Sequence, residues 1–414
     1  MALYLQIRVQ PKKHLAYIPV AILLLLSLLS KETGIVFILI SLAYALMYKK
    51  KSLLHLLAYE GLSLISYIAL RVHAVGILAR PTISPIDRLD FMQRLINIPD
   101  IFFSYLKTLF YPVSLSSSYE WVYKQITLNH FYFPLLADLI FISLIVLTAI
   151  LLYKKRQFKY FKLFIYFSAW FFIGVAIHLQ IIPLDRKIAE RWMYFPIVGL
   201  IGMAGTMLET LVMDLKNIRI VTTVLILIIV VLSARTFMRS FDWRNDMTLG
   251  VHDISNAKNV YDLENIISVG LTRQGKLQEA KYHAAKSVRL YPAVTNLTNL
   301  GAIYAILGDY KDAKIAYVEA LKYDNYYLTY QNLGSLALVY GDIRENTAFL
   351  IGAVKKFPYN AKLWLCLALL EYREGNTGAA KKAIGNAWHL MPDNGDTYFY
   401  NEIMNNRPVD IKLN

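Results

Sequence analysis

Three clusters in this 414-residue chain combine charge with aromatic rings or small residues in ways that could do chemistry. The first is Ser30-Lys31-Glu32-Thr33-Gly34, squeezed between two apolar runs. Ionisable groups at membrane depth are costly and usually pair or carry function. The same five residues also suit a tight turn whose Lys31 and Glu32 simply reach water or each other. The second cluster is Ala189-Glu190-Arg191-Trp192-Met193-Tyr194-Phe195-Pro196, opening another apolar run just after Asp185-Arg186-Lys187. An arginine fork at a membrane boundary can hold a lipid-linked phosphate through two parallel hydrogen bonds. A snorkelling arginine in an aromatic belt has the same composition. The third cluster lies in 73–130, where Arg80, Asp87, Arg88, Asp90, Arg94, Asp100 and Glu120 accompany Tyr111-Pro112 and Ser116-Ser117-Ser118-Tyr119-Glu120-Trp121. Carboxylates mixed with aromatic rings suit sugar recognition, although any external loop contains such residues.

Other chemistries lack their signatures. The chain has no phosphate-cradling glycine loop, no nucleophile elbow and no histidine pair at metal-ligand spacing. Its single cysteine, Cys366, excludes an intramolecular disulfide framework and a cysteine metal site, so no metal is expected. The sequon Asn296-Leu297-Thr298 falls inside a helical pattern, where glycosylation is not expected.

The elements that must position these clusters are apolar. The chain is 57% hydrophobic and 18% charged, too apolar for one soluble domain. Seven segments, roughly 15–31, 33–48, 53–72, 131–153, 160–182, 192–213 and 218–238, have the length and composition to cross a bilayer. Within the long polar-aromatic loop 73–130, residues 95–111 are apolar on one helical face and suit an interfacial or re-entrant helix. The formal charge of +15 is uneven: residues 1–240 hold 25 Lys+Arg against 11 Asp+Glu, and 241–414 hold 19 against 18. The basic excess sits in the apolar half, which argues against a nucleic-acid partner. Lys12-Lys13, Lys49-Lys50-Lys51, Lys154-Lys155-Arg156 with Lys159, and Lys216 with Arg219 all fall on one side of the seven-span scheme. The positive-inside rule makes that side cytoplasmic. Lys31-Glu32, the 73–130 loop, 183–191 and everything after Arg235 are then external.

The last third is periodic. Gly275, Gly308, Gly341 and Gly375 recur at intervals of 33, 33 and 34 residues. A small residue follows five places later (Ala280, Ala313, Ala380, with Asn346 the exception), and a break comes at Pro292, Asp324-Asn325, Pro358 and Pro392. Paired short helices at this period are the tetratricopeptide pattern, usually a docking surface. The expected fold class is therefore all-α, a polytopic helical membrane domain followed by an extracytoplasmic tetratricopeptide α-solenoid. Its expected divisions are a membrane domain over 1–240, a connector over 241–260, four repeats over 261–394, and a capping helix and tail over 395–414.

In order along the chain, these clusters resemble a known family. Ser30-Lys31-Glu32-Thr33-Gly34 resembles the Lys-Glu motif between two spans. Tyr105-Leu106 through Tyr111-Pro112, with Leu115 and Tyr119, resembles the external loop that follows. Glu190-Arg191 with Tyr194 and Pro196-Ile197-Val198-Gly199 is similar to the ERYLYLPSxG motif, and Trp243-Arg244-Asn245-Asp246 with Leu249 to the tryptophan-containing approach to the repeats. Together they resemble multi-spanning tetratricopeptide-repeat glycosyltransferases of the GT-C class, which include the transmembrane and tetratricopeptide-repeat O-mannosyltransferases. The resemblance implies sugar transfer on the external face, from a polyprenyl-phosphate sugar to a protein hydroxyl. Arg191, Lys31, Glu32 and Glu190 would then contact the donor lipid phosphate, Asp87, Arg88, Asp90 and Glu120 would belong to the external loop, and the repeats would hold a protein acceptor or partner. The family's catalytic acid lies in a first external loop that has no counterpart in this sequence. No catalytic residue is therefore assigned, and transferase activity of this chain alone is not expected. A split or fragmentary enzyme, a non-catalytic homologue and a chain completed by a partner subunit all fit, as does a membrane-anchored tetratricopeptide scaffold without chemistry.

Overall fold

The computed structural model describes residues 1–8, 14–76, 84–211, 215–257, 260–392 and 397–410, with the backbone alone at 14, 75, 211 and 215–217. Arg80, Lys12 and Lys13, and the side chain of Lys216, lie outside the described residues. All regular structure among the described residues is helical. The chain divides into two compact units, Met1–Arg244 and Asn245–Asn414.

The first unit carries nine α-helices among the described residues: α1 (Ala2–Arg8), α2 (Ile18–Ser30), α3 (Ile35–Tyr48), α4 (Leu53–Val75), α5 (Phe91–Phe110), α6 (Phe133–Lys154), α7 (Phe158–Ala176), α8 (Pro196–Leu211) and α9 (Leu215–Asp242). Pro19, Pro134 and Pro196 sit in the first turns of α2, α6 and α8, where a missing N–H costs nothing. Asp90 caps α5 in a reciprocal capping box with Gln93.

Each of the seven expected apolar segments contains one helix. Four stretches are long and apolar enough to cross a membrane: Lys50–Ala74, Leu128–Lys154, Phe158–Ala176 and Ile218–Asp242. Leu15–Ser30, Glu32–Tyr48 and Pro196–Thr210 are shorter apolar helices. At 1.5 Å per residue they extend about 25 Å, short of the ~30 Å hydrocarbon core. The segment expected over 160–182 ends as a helix at Ala176, and the one expected from 192 starts with a 3-10 turn over Glu190–Tyr194. None of the apolar stretch of α9 is buried, and little of that of α6. Outward-facing aliphatic surface of that extent is what lipid would solvate. The main core of this unit gathers Ile101, Phe102, Tyr105, Phe164, Phe171, Trp192 and Met193 from α5, α7 and the approach to α8.

The second unit is a run of helix pairs: α10 (Asp246–Asn256), then α11 (Tyr261–Arg273) with α12 (Leu277–Leu290), α13 (Val294–Ile306) with α14 (Tyr310–Ala320), α15 (Tyr327–Ala337) with α16 (Ile343–Lys356), α17 (Ala361–Arg373) with α18 (Thr377–Leu390), and finally α19 (Thr397–Met404). The four periodic glycines stand at φ +75, +83, +96 and +81°, each ending the first helix of a pair in the left-handed region that side chains avoid. After Gly308 the Asp309 N–H reaches back to the Tyr304 carbonyl at 2.9 Å, closing the end of α13. The Gly341 turn is closed differently. There the Asn346 amide donates to the carbonyls of Ala337 and Tyr340 at 3.1 and 2.9 Å, which explains why a small residue gives way to asparagine at that one position.

Neighbouring pairs are joined by buried small and aromatic residues. The Tyr317 ring lies where a side chain on Gly301 would stand, so α14 seats closely on α13. Polar rungs run between successive pairs: Asn299 to Asn265 at 2.9 Å, Thr298 to Thr329 at 2.6 Å and Gln331 to Asn360 at 3.0 Å. Cys366 packs as an apolar residue in the α17 core. Both ends of the array are covered, α11 by α10 and α18 by α19, where Trp388 stacks on Tyr400. The stretch 241–260, expected as a connector, thus holds the end of α9 and the whole of α10.

Candidate functional site

The segment between α7 and α8 is organised by a buried glutamine. Gln180, itself at φ +62°, donates to the carbonyls of Arg186 and Lys187 at 2.8 and 2.9 Å and accepts from Leu184 N–H at 2.9 Å. Those bonds fold 180–187 into a compact loop that delivers the chain to the 3-10 turn Glu190–Tyr194. Trp192 and Met193 of this turn face the core, while Arg191 and Tyr194 are exposed.

The two charged members of the turn have different surroundings. Glu190 Oε1 accepts from Tyr119 Oη at 2.5 Å and from Ser116 N–H at 3.3 Å. Among the described residues Arg191 pairs only with Asp185, at 3.9 Å, with side chains 60% and 65% exposed. A contact that long and wet holds little energy, so the guanidinium keeps its hydrogen-bonding capacity. Beside it opens a cavity of about 570 Å³ lined by Thr108, Pro112, Ser116, Glu190, Tyr194 and Trp243 among others.

The Lys31 cluster forms the turn between α2 and α3. Gly34 packs so closely on the Ser27 backbone that a Cβ there would meet it at 2.7 Å, which holds the α2–α3 turn tight. Glu32 pairs with Arg71, and among the described residues Lys31 has no ion-pair partner. Its charge acts on His178, which is 4% exposed and stacks on Trp192 with centroids 4.8 Å apart. Burial first, and Lys31 second, pull His178 down to about 4, so its ring is neutral at physiological pH. Lys31 of the first cluster thus acts electrostatically on the histidine that stacks on Trp192 of the second.

The third cluster folds largely inward. Asp90 uses its carboxylate for the α5 cap, and Arg94 donates to the Leu89 carbonyl at 2.9 Å. Desolvation raises Asp87, with the Arg94 charge opposing, and Arg88 is exposed beside it. Glu120 is buried, accepting from Ser84 Oγ at 3.0 Å with the Arg186 guanidinium at 3.6 Å. Asp100 Oδ2 accepts from Lys187 Nζ at 2.8 Å and from Trp121 Nε1 at 3.1 Å. Lys187 is wholly buried, and its ammonium also lies 4.8 and 5.1 Å from the ring centroids of Trp121 and Tyr123. Burial lowers the Lys187 pKa, opposed by Asp100 and Glu120. Asp100 and Glu120 thus act as ties that fix α5 and the 111–127 loop against 184–190. The buried Lys187 and Gln180 carry no local sequence signal, because their partners are set by loop closure.

Among the described residues, no group of three or more His, Cys, Asp or Glu is arranged to hold a metal ion. What the site can do is bind an anion: one exposed guanidinium stands beside the Trp192 ring and a cavity with a polar wall.

No family model matches the chain, and no curated protein does. Among solved structures it is similar to the crystal structure of YrrB, described as a TPR protein with an unusual peptide-binding site, at 18% identity and a TM-score of 0.34 over 38% of this chain and 82% of that one. The repeat architecture of the second unit is carried by its own helix pairs and left-handed turns.

Proposed function

We propose that the first unit is embedded in a membrane and holds a polyprenyl-phosphate-linked sugar by its phosphate, while the tetratricopeptide-like repeats dock a protein acceptor or partner. The observation that carries this reading is Arg191, whose exposed guanidinium stands at the 570 Å³ cavity and whose one ion pair among the described residues is the 3.9 Å contact to Asp185. Lys31 adds a second positive charge close enough to depress His178, which stacks on Trp192. Fixed positive groups at a membrane boundary suit a lipid phosphate, and they would neutralise it as a leaving group. The order of motifs resembling GT-C glycosyltransferases supports a sugar on that phosphate. On this reading the basic loops face the cytoplasm, and the site and the repeats face the other side. The catalytic residue is left unassigned, so donor binding rather than transfer is the proposed activity of this chain.

A second reading is a membrane-anchored scaffold without a lipid ligand, favoured by the complete, doubly covered helix-pair array. Undecaprenyl phosphate separates the two. The donor-binding reading expects the intact chain in lipid nanodiscs to bind it through Arg191, and the scaffold reading expects no binding in wild type.

A further inference from the structure

A second polar cluster lies inside the packing of α1, α3 and α4. Glu60 of α4 is the one carboxylate in the apolar stretch Lys50–Ala74, and it is 2% exposed. Its Oε1 accepts from the Ser41 hydroxyl of α3, while its Oε2 is buried with no hydrogen-bond partner among the described residues. Gln6 of α1 is anchored to the same serine. Its Nε2 donates to the Ser41 carbonyl at 2.9 Å, which fixes the amide's orientation, and its Oε1 is likewise buried and unpartnered among the described residues. Gln6 and Ser41 are wholly buried. Both orphaned atoms are acceptors, so they cannot satisfy each other. Glu60 also has no ion pair among the described residues. A carboxylate buried without a countercharge is costly in any core, and in a membrane stretch it usually marks a site.

We propose that this cluster binds a sodium ion, held by Glu60 Oε2, Gln6 Oε1 and the Ser41 hydroxyl oxygen. These are all hard oxygen donors, and their single negative charge matches a single positive one. A water molecule would satisfy both orphaned oxygens and leave the charge of Glu60 unbalanced. A divalent ion would overbalance it and asks for about six or more oxygen ligands. Each of three helices contributes one ligand, so the ion draws α1 onto α3 and α4. Lys49 holds α1 on the end of α3 by a separate tie, donating to the carbonyls of Gln6 and Ile7 at 2.9 and 2.6 Å. That tie does not need the ion, so the helices stay assembled when it leaves. Nothing in this site depends on a phosphate at Arg191.

The test is equilibrium binding of radioactive sodium to the intact chain in lipid nanodiscs, with choline chloride holding the ionic strength constant. Wild type is expected to bind sodium saturably at a single site. Glu60→Gln removes that binding, because an amide carries no charge to balance the ion, while its N–H groups supply the donor that the cluster lacks. Gln6→Leu keeps the carboxylate and weakens binding at least about tenfold, the scale on which a lost partner at a metal site is felt. Sodium in place of choline raises the thermal midpoint of wild type and leaves that of Glu60→Gln unmoved. No saturable binding by wild type overturns the site and leaves Glu60 with a proton or a water. Binding undiminished in Glu60→Gln or in Gln6→Leu overturns it as well.

Discussion

Lys187 and Asp100 are 87 positions apart in sequence, yet Nζ and Oδ2 stand 2.8 Å apart with the lysine side chain wholly buried. This pair ties the loop before α8 to α5, and so fixes the turn that carries Arg191. Removing one partner leaves a buried charge uncompensated, typically at about 3–5 kcal/mol. Lys187→Met should therefore lower the thermal midpoint of the detergent-solubilised chain sharply. Adding Asp100→Asn should recover most of the loss, since an amide oxygen still accepts from Trp121. A single variant as stable as wild type contradicts the role given to the pair.

Much of the fold is legible in the sequence because its determinants are local. The apolar runs become helices because each is far longer than a strand and holds few breakers. The 33-to-34-residue glycine period is legible because one left-handed residue per pair favours glycine at one fixed place. Two helix starts are also written locally, although composition alone presents their surroundings as loop and connector. The run Asp90-Phe91-Met92-Gln93 is a capping box, and it starts α5 ahead of the apolar face expected from Leu95. Likewise Asn245 with Thr248 announces α10. The inward turn of Asp100 and Glu120 is not legible. Their partners, Lys187 and Arg186, arrive from a loop that Gln180 closes, and no spacing rule connects these segments.

His178 makes stability depend on pH in a defined direction. The unfolded chain protonates an ordinary histidine near pH 6.5, whereas the folded ring, desolvated and beside Lys31, resists until about 4. Protons therefore favour the unfolded state across that window. Stability attributable to this residue is complete above about pH 6.5 and declines as pH falls toward 4, by on the order of 3 kcal/mol. Thermal midpoints measured between pH 7 and 4.5 should show a decline that His178→Gln reduces. An NMR titration midpoint of His178 near 6.5 in the folded protein contradicts the account.

Asn346 breaks the small-residue pattern for a structural reason. Its amide satisfies the Ala337 and Tyr340 carbonyls at the Gly341 turn. Asn346→Ala restores the alanine of the other repeats, yet should destabilise the α15–α16 pair by about 1–3 kcal/mol, because two carbonyls lose their donor. Faster hydrogen exchange confined to those helices is the expected readout. Unchanged exchange there sinks the explanation.

Whether Arg191 holds a lipid phosphate is decided by equilibrium binding of undecaprenyl phosphate to the intact chain in nanodiscs. A charge-assisted bond of about 1.5–3 kcal/mol corresponds to a loss of roughly tenfold to a hundredfold in Arg191→Ala. The side chain is 60% exposed, so the variant should fold as wild type does. Wild-type binding that weakens by that factor in Arg191→Ala is the predicted result. No binding by wild type, or equal binding by both proteins, contradicts the account.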